Sequence, residues 1–368
     1  MSTGFRLALL AAVLCWLAPR TGRGDHIVLR NQDVIRDVEV VSFDEDGVKL
    51  KSGRVITLDQ IEQAKLDNGQ EKFNQLLQEV GGHLYRLRHL LRVGDYRELT
   101  THAEAIHGRY ASRTSDTAYL VFQSLMWGRL AEGKRELALE PYLRCFELLR
   151  KRDVDRLPLP GERTLKIDKA TGLTPDLQPV WFDSRLAKDA LEPVYQAITQ
   201  MKTPRPTGVR IYFGSLALAA GDQDRAMQAI GESPYPTANL ELHRQLVLAQ
   251  RELAAERLAA AEALLQPLLN SAQRPQALYW LGVARTSSPS PAVRQAGLLD
   301  LLRLPASYGE SQPDLSAAGL HRVMVTLNAM KDARGAVAVR RELLDGYGQT
   351  YHALKITKGK RPPPATDE

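Results

Sequence analysis

A chain of 368 residues, 44% hydrophobic and 25% charged, has the balance of a globular protein long enough for one or two domains. Residues 1–24 carry Arg6, Arg20 and Arg23 and no acidic residue, so setting them aside lowers the formal net charge from +6 to +3. A balance that close to neutral excludes the strongly basic surface of a nucleic-acid or anionic-membrane binder.

The first 24 residues read as a secretory signal peptide. Arg6 gives a short positive start, and Leu7–Ala18 is an apolar run of twelve residues. That is well short of the roughly 20 residues a hydrocarbon core requires. Small residues in Gly22-Arg23-Gly24 prepare a cut ahead of Asp25, with an uncleaved N-terminal anchor as the alternative. The expectation is an exported protein, periplasmic or held in the cell envelope. The mature chain keeps one cysteine, Cys145, on an apolar helical stripe with Leu148 and Leu149, which reads as core and not as a nucleophile.

From His26 to Leu66 the hydrophobic period is two. Ile27–Leu29, Val38–Phe43, Val48–Lys51, Val55–Leu58 and Ile61–Leu66 predict four or five short antiparallel strands, with hairpin turns at Asp44–Gly47 and Ser52-Gly53. The count and spacing resemble a small SH3-like or Sm-like barrel. Residues 25–67 make too small a core to stand alone, so the module is expected to lean on the helices that follow. Its acidic tip, Asp44-Glu45-Asp46, lacks the ligand spacing of an EF-hand and reads as a solvated hairpin.

At Gln70 the period becomes 3.6, and residues 68–152 predict helical hairpins. One helix carries Phe73, Leu76, Leu77, Val80, Leu84, Leu87 and Leu91 and ends at Gly94; the next carries Leu99, Ala103 and Ile106. Tyr119–Leu130 and Leu137–Leu149 pair around Glu132-Gly133. A Pro-rich insertion and a helix then fill residues 153–206. Prolines 158, 160, 175 and 179 and glycines 161 and 172 leave Thr164–Asp168 as the one predicted strand of the insertion, which closes on Trp181-Phe182. A stretch this long without regular structure is either functional or a clamp on its neighbours. Its apolar residues predict that residues 153–182 bridge the two helical halves, with Arg156, Arg163, Lys166 and Lys169 turned to solvent or a partner. The helical period resumes from Leu186 to Ile198 and stops at Thr203-Pro-Arg-Pro206.

Residues 207–350 predict a repeat array. Gly214, Gly221-Asp222, Ala226 and Ile230 spell helix, tight turn, helix, and such a hairpin needs stacked neighbours to bury its apolar stripe. Turns align at Asp222, Glu256, Ser290 and Asp332. The middle unit, Leu246–Leu269, reads either as a pair around Glu256 or as one long helix, and Pro305 and Pro313 bracket a loop. Lys355, Lys358, Lys360 and Arg361 ahead of three prolines predict a basic, disordered tail over 351–368.

The array resembles the tetratricopeptide-repeat (TPR) family. Gly214, Gly221, Ala226 and Ile230 match its pattern in one unit, Ala249, Ala261 and Leu265 in the next, and Gly282 and Leu298 in the third. Arg294 and Arg340 depart from it. The resemblance implies a mainly α fold, a TPR-like α-solenoid of antiparallel helix pairs behind the small antiparallel β-module. It also implies a groove that captures a protein or peptide partner, with Arg210, Tyr212, His243, Arg244, Tyr279 and Arg285 as its candidate contacts.

Catalytic and cofactor signatures are missing from the sequence. There is no His-Glu-x-x-His, Cys-x-x-Cys, Gly-x-Ser-x-Gly, P-loop or Gly-x-Gly-x-x-Gly. His83 and His89 are six apart and His102 and His107 five apart, so neither pair shares a helical face. The expected role is a non-catalytic scaffold without metal or cofactor. The alternatives are a structural subunit of an envelope assembly docking through the β-module, or an enzyme using residues 153–182.

Overall fold

The computed structural model describes residues 24–232 and 234–358; the signal segment expected at 1–24 lies outside these, save Gly24. Six strands, β1 (Asp25–Leu29), β2 (Val34–Val38), β3 (Val40–Asp44), β4 (Gly47–Leu50), β5 (Val55–Ile56) and β6 (Ile61–Lys65), form two three-stranded antiparallel sheets, ordered β2-β1-β6 and β3-β4-β5. The run expected as one strand over Val38–Phe43 is divided between the sheets, with Val38 opposite Asp25 and Val40 opposite Leu50. The Asp25 carboxylate secures this corner by accepting from Val40 N at 2.6 Å and Asp67 N at 2.8 Å. Ile27, Val48, Ile56, Leu58 and Ile61 are fully buried between the sheets and the first helix.

The module does lean on the helices. Phe43 meets Phe73 edge-on at 5.4 Å, and Asp59 pairs with Arg88 at 2.6 Å. The acidic tip is not freely solvated. Arg113 binds Asp46 at 2.7 Å, Asp44 at 3.1 Å and the Glu45 carboxylate, and the Tyr110 hydroxyl donates to Glu45 O at 2.5 Å. With its carboxylates turned onto a guanidinium, the tip is a dock for the loop after the second helix.

Among the described residues fourteen helices follow. They are α1 (Gln70–Leu76, continuing through a π-helical turn at Leu77–Gly81 into Gly82–Val93), α2 (Leu99–Tyr110), α3 (Asp116–Ala131), α4 (Arg135–Arg152), α5 (Ser184–Thr199), α6 (Thr207–Ala220), α7 (Gln223–Ile230) and α8 (Ala238–Ala254). The remainder are α9 (Leu258–Leu265), α10 (Arg274–Thr286), α11 (Pro291–Tyr308), α12 (Pro313–Ala329), α13 (Ala333–Tyr347) and α14 (Tyr351–Lys358). Consecutive helices pack on each other along the chain, so the architecture is mainly α with a small antiparallel β-module. None of the described helices is long and apolar enough to cross a membrane. Cys145 is fully buried in α4, and burial pushes its thiol pKa well up from the ordinary value.

Small residues are placed where helices cross. A Cβ on Gly214 would lie 2.6 Å from the Ile230 side chain, so only glycine lets α6 and α7 approach this closely. Gly221 closes α6 in the left-handed region at φ 86°, and Ala226, Ile230, Ala249 and Ala261 are fully buried. In the third unit Gly282 meets Leu301, one helical turn beyond the expected Leu298. The middle unit is a helix pair, because Glu256 adopts φ 57° and ends the run.

Two expectations at the array's end are corrected. Pro305 lies inside α11 and not at a loop edge; the connection is confined to 309–312, with Pro313 in the first turn of α12. The tail expected from 351 begins as α14, because Ala353 is fully buried against the array and His352 nearly so; residues 359–368 lie outside the described residues.

The even helices α4, α6, α8, α10, α12 and α14 each touch the next, forming an inner row, with α5, α7, α9, α11 and α13 outside it. The row returns on itself. Tyr351 at the start of α14 lies against Gly133 in the turn before α4, Arg97 bonds Gln349, and Arg135 of α4 pairs with Asp314 of α12 at 2.5 Å.

Candidate functional site

Four prolines and two glycines keep residues 153–182 out of helix, so their peptide groups must find partners elsewhere. The predicted strand Thr164–Asp168 does not form; only an isolated bridge joins Asp168 to Leu173. The inner row supplies the partners. Tyr142 donates to Gly172 O at 2.7 Å, and Tyr212 donates to Leu177 O at 2.6 Å while accepting from Thr174 N at 3.1 Å. Arg135 donates to Gln178 O at 3.2 Å, and Gly208 N to Thr171 O at 2.9 Å. Glu136 Oε1 accepts from Phe182 N at 2.6 Å and Asp183 N at 3.0 Å; burial pushes this carboxyl up, and the two N–H groups partly offset that.

Side chains complete the attachment. Leu165, Leu173, Leu177, Val180 and Trp181 are buried, and Trp181 Nε1 donates to Ser215 Oγ at 2.9 Å. The Arg163 guanidinium stacks 3.7 Å over the Trp127 ring of α3, while Phe182 meets Tyr279 of α10 and Tyr351 of α14, each at 6.2 Å. The insertion therefore bridges the two helical halves, and it occupies the inner face that the repeat resemblance offers to a partner. Two of its aspartates serve its own turns: Asp168 accepts from Ala170 N and the Thr171 hydroxyl, and Asp176 from Lys166 N and the Thr174 hydroxyl.

The six candidate contacts do not converge. Tyr212 is fully buried beneath the insertion, a core position and not a surface one. Tyr279 is half-buried under Phe182, and Arg285 spans Glu262 and Asp300, at 2.7 Å to the latter. Arg244 pairs with Glu241 at 3.0 Å and donates to Glu232 O at 2.6 Å. His243 shares a 3.1 Å hydrogen bond with Gln273, and burial lowers its pKa to about 4. Arg210 alone of the six is exposed.

Arg210 opens onto a cavity of about 500 Å³ between α5, α6 and α7, within the roughly 300–1,000 Å³ usual for ligand sites. Tyr195 and Phe213, with ring centroids 5.7 Å apart, and Ile198 give it an apolar floor. Arg205, Arg210 and Arg225 form its rim. Arg210 Nε donates to Ala229 O at 2.7 Å and Arg205 to Thr199 O at 3.0 Å, so both guanidiniums rest on helix-end carbonyls. Arg225 lies 5.9 Å from the Tyr195 ring and 3.6 and 3.5 Å from the Glu192 and Asp222 carboxylates. Sequence reasoning missed the floor because Tyr195 and Phe213 sit on helical stripes indistinguishable from core. The sequence carried no separate signal for it; only the fold shows Tyr195 to be 44% exposed.

Among the described residues no group of three or more His, Cys, Asp or Glu is placed to hold a metal ion. Histidines do pair across helices: His83 of α1 and His102 of α2 face each other with Nδ1 atoms 3.2 Å apart, a juxtaposition hidden in sequence by their separation of 19. Comparison with family models, with curated proteins and with solved structures finds no match for this chain.

Proposed function

We propose that the protein is a non-catalytic, exported scaffold whose TPR-like helix pairs hold a protein or peptide partner on the flank of the array, in the pocket between α5, α6 and α7. The observation that carries this reading is the pocket itself. It is apolar at the floor and cationic at the rim, and it opens on the side of the array while the inner face is filled by residues 153–182. Its lining holds no histidine or carboxylate to act as acid or base, which favours binding over chemistry.

A photo-crosslinking residue placed at exposed Gln228 on the pocket edge tests it in the envelope fraction of the native cells. The expected outcome is a discrete adduct from position 228 and none from position 337, where Val337 is 67% exposed on the outside of α13. Absence of any adduct from 228 would sink the reading. The structural-subunit alternative has its own support: Val34, Val41 and Val55 are 44%, 60% and 54% exposed on β2, β3 and β5. Adducts confined to position 41 would favour that alternative.

A further inference from the structure

We infer that the α5–α6–α7 pocket selects a peptide that presents a carboxylate beside an aromatic or aliphatic side chain. The inference rests on reading this pocket as the partner's seat. It follows from where the charges stand relative to the apolar floor.

A guanidinium carries five N–H donors in a fixed fork. Arg210 commits donors to Ala229 O and, at 3.3 Å, to Ile230 O, and Arg205 commits one to Thr199 O, which fixes both planes and leaves donors free at the rim. Among the described residues neither forms an ion pair. Arg225 is already shared by Glu192 and Asp222, so it contributes less to a ligand, and the α7 side of the rim carries one more carboxylate than guanidinium. The guanidiniums without a carboxylate are therefore Arg205 and Arg210, above Tyr195 and Phe213, and the positive side of the rim is theirs. A carboxylate there gains charge-assisted hydrogen bonds, and an apolar side chain one residue away reaches the ring faces. A purely apolar peptide would leave two guanidiniums without a carboxylate, and a basic one would be repelled. That asymmetry is what gives the site its selectivity. A nucleic acid would need a wider basic surface than these residues make.

The test uses the full chain and fluorescein-labelled octapeptides of alternating Glu with Phe or Leu, in anisotropy titrations. Lysine in place of each Glu gives the control. The acidic peptide is expected to bind at least about tenfold more tightly than the control, with affinity falling as salt rises. Arg205→Glu, which disturbs only a contact to the Thr199 carbonyl, is expected to lower that affinity about tenfold without changing the melting temperature. Arg210→Ala should act in the same direction, and Arg210→Lys should retain part of the binding. Peptides made as free acids and as C-terminal amides divide the two sources of carboxylate: binding by the free acid alone assigns it to a chain terminus, and equal binding assigns it to side chains. Equal affinity for the acidic and lysine peptides, or an Arg205→Glu variant that binds as the parent does, overturns the inference. A partner crosslinked at position 228 that binds unchanged to Arg205→Glu would keep the scaffold reading and discard this one. Acidic-peptide binding with no cellular adduct would do the reverse.

Discussion

Trp181 donates its indole N–H to the hydroxyl of Ser215, 34 residues further along the chain, at 2.9 Å. The bond joins the end of the insertion to the middle of α6, and the ring itself is 5% exposed. Ser215 in turn donates to Tyr212 O at 3.0 Å, so the hydroxyl is used in both directions.

Trp181→Ala should accordingly destabilise the fold by about 3 kcal/mol and speed proteolysis within 153–182. Denaturant titration of both proteins measures the first and timed digestion the second. Ser215→Ala should cost less, about 1 kcal/mol, because it removes the acceptor and leaves the ring in place. Equal stability of Trp181→Ala and the parent would mean that the insertion is held by its other contacts and not by Trp181.

Arg113 should couple the β-module to the helices. Arg113→Ala leaves Asp44, Glu45 and Asp46 together without their shared cation, at a cost of about 1–2 kcal/mol for these partly exposed pairs. The hairpin tip at Asp44–Gly47 should also become the earliest proteolytic cut. A cut that stays elsewhere would argue that Tyr110, bonded to Glu45 O, suffices to hold the tip.

Ala226 faces Gly214 across the α6–α7 crossing and is fully buried. Ala226→Asp should bury a carboxylate with no cation opposite it and cost about 3 kcal/mol or more in a melting or denaturant experiment. Unchanged stability would mean that this hairpin does not pack as a unit.

Stability should fall with acid through two buried histidines. Burial, with His321 and Lys355 nearby, lowers the His352 pKa to about 3, and burial lowers that of His243 to about 4, against 6.5 ordinarily. Both folded-state values lie below the unfolded ones. Their contribution is therefore complete above pH 6.5 and is lost as pH falls toward the folded values, because the unfolded chain takes up protons that the folded chain refuses. Each should remove about 1.4 kcal/mol per pH unit, or about 2 kcal/mol each between pH 6.5 and 5. His352→Phe should flatten that dependence, since both ring nitrogens are buried without partners and the ring stacks on His321 at 4.6 Å. A variant whose stability falls as steeply as the parent's would assign the acid sensitivity elsewhere.

Sequence alone determined what depends on neighbours along the chain. The period-two run ending at Leu66, the helical stripes from Phe73 onward, the tight turn at Gly221 and the small residues at Gly214, Ala226 and Ala249 are local signals, since side-chain spacing decides which face is buried. Buried Cys145 and the bridging role of Trp181 were legible for the same reason: an apolar residue must find cover. The division of Val38 and Val40 between two sheets was not legible, because it follows from an Asp25 carboxylate 15 residues away. Nor was the closure of the inner row, which brings Tyr351 against Gly133 and Asp314 against Arg135. The insertion packed on the inner face of that row is what buries Tyr212 and fills the face on which a partner was expected. Arg210 and Tyr212, two residues apart on opposite faces of α6, end at the rim and in the core because residues 174–177 fold back over the Tyr212 face alone. Only the tertiary structure sets that, because the free energy of covering a surface depends on every element that competes to cover it.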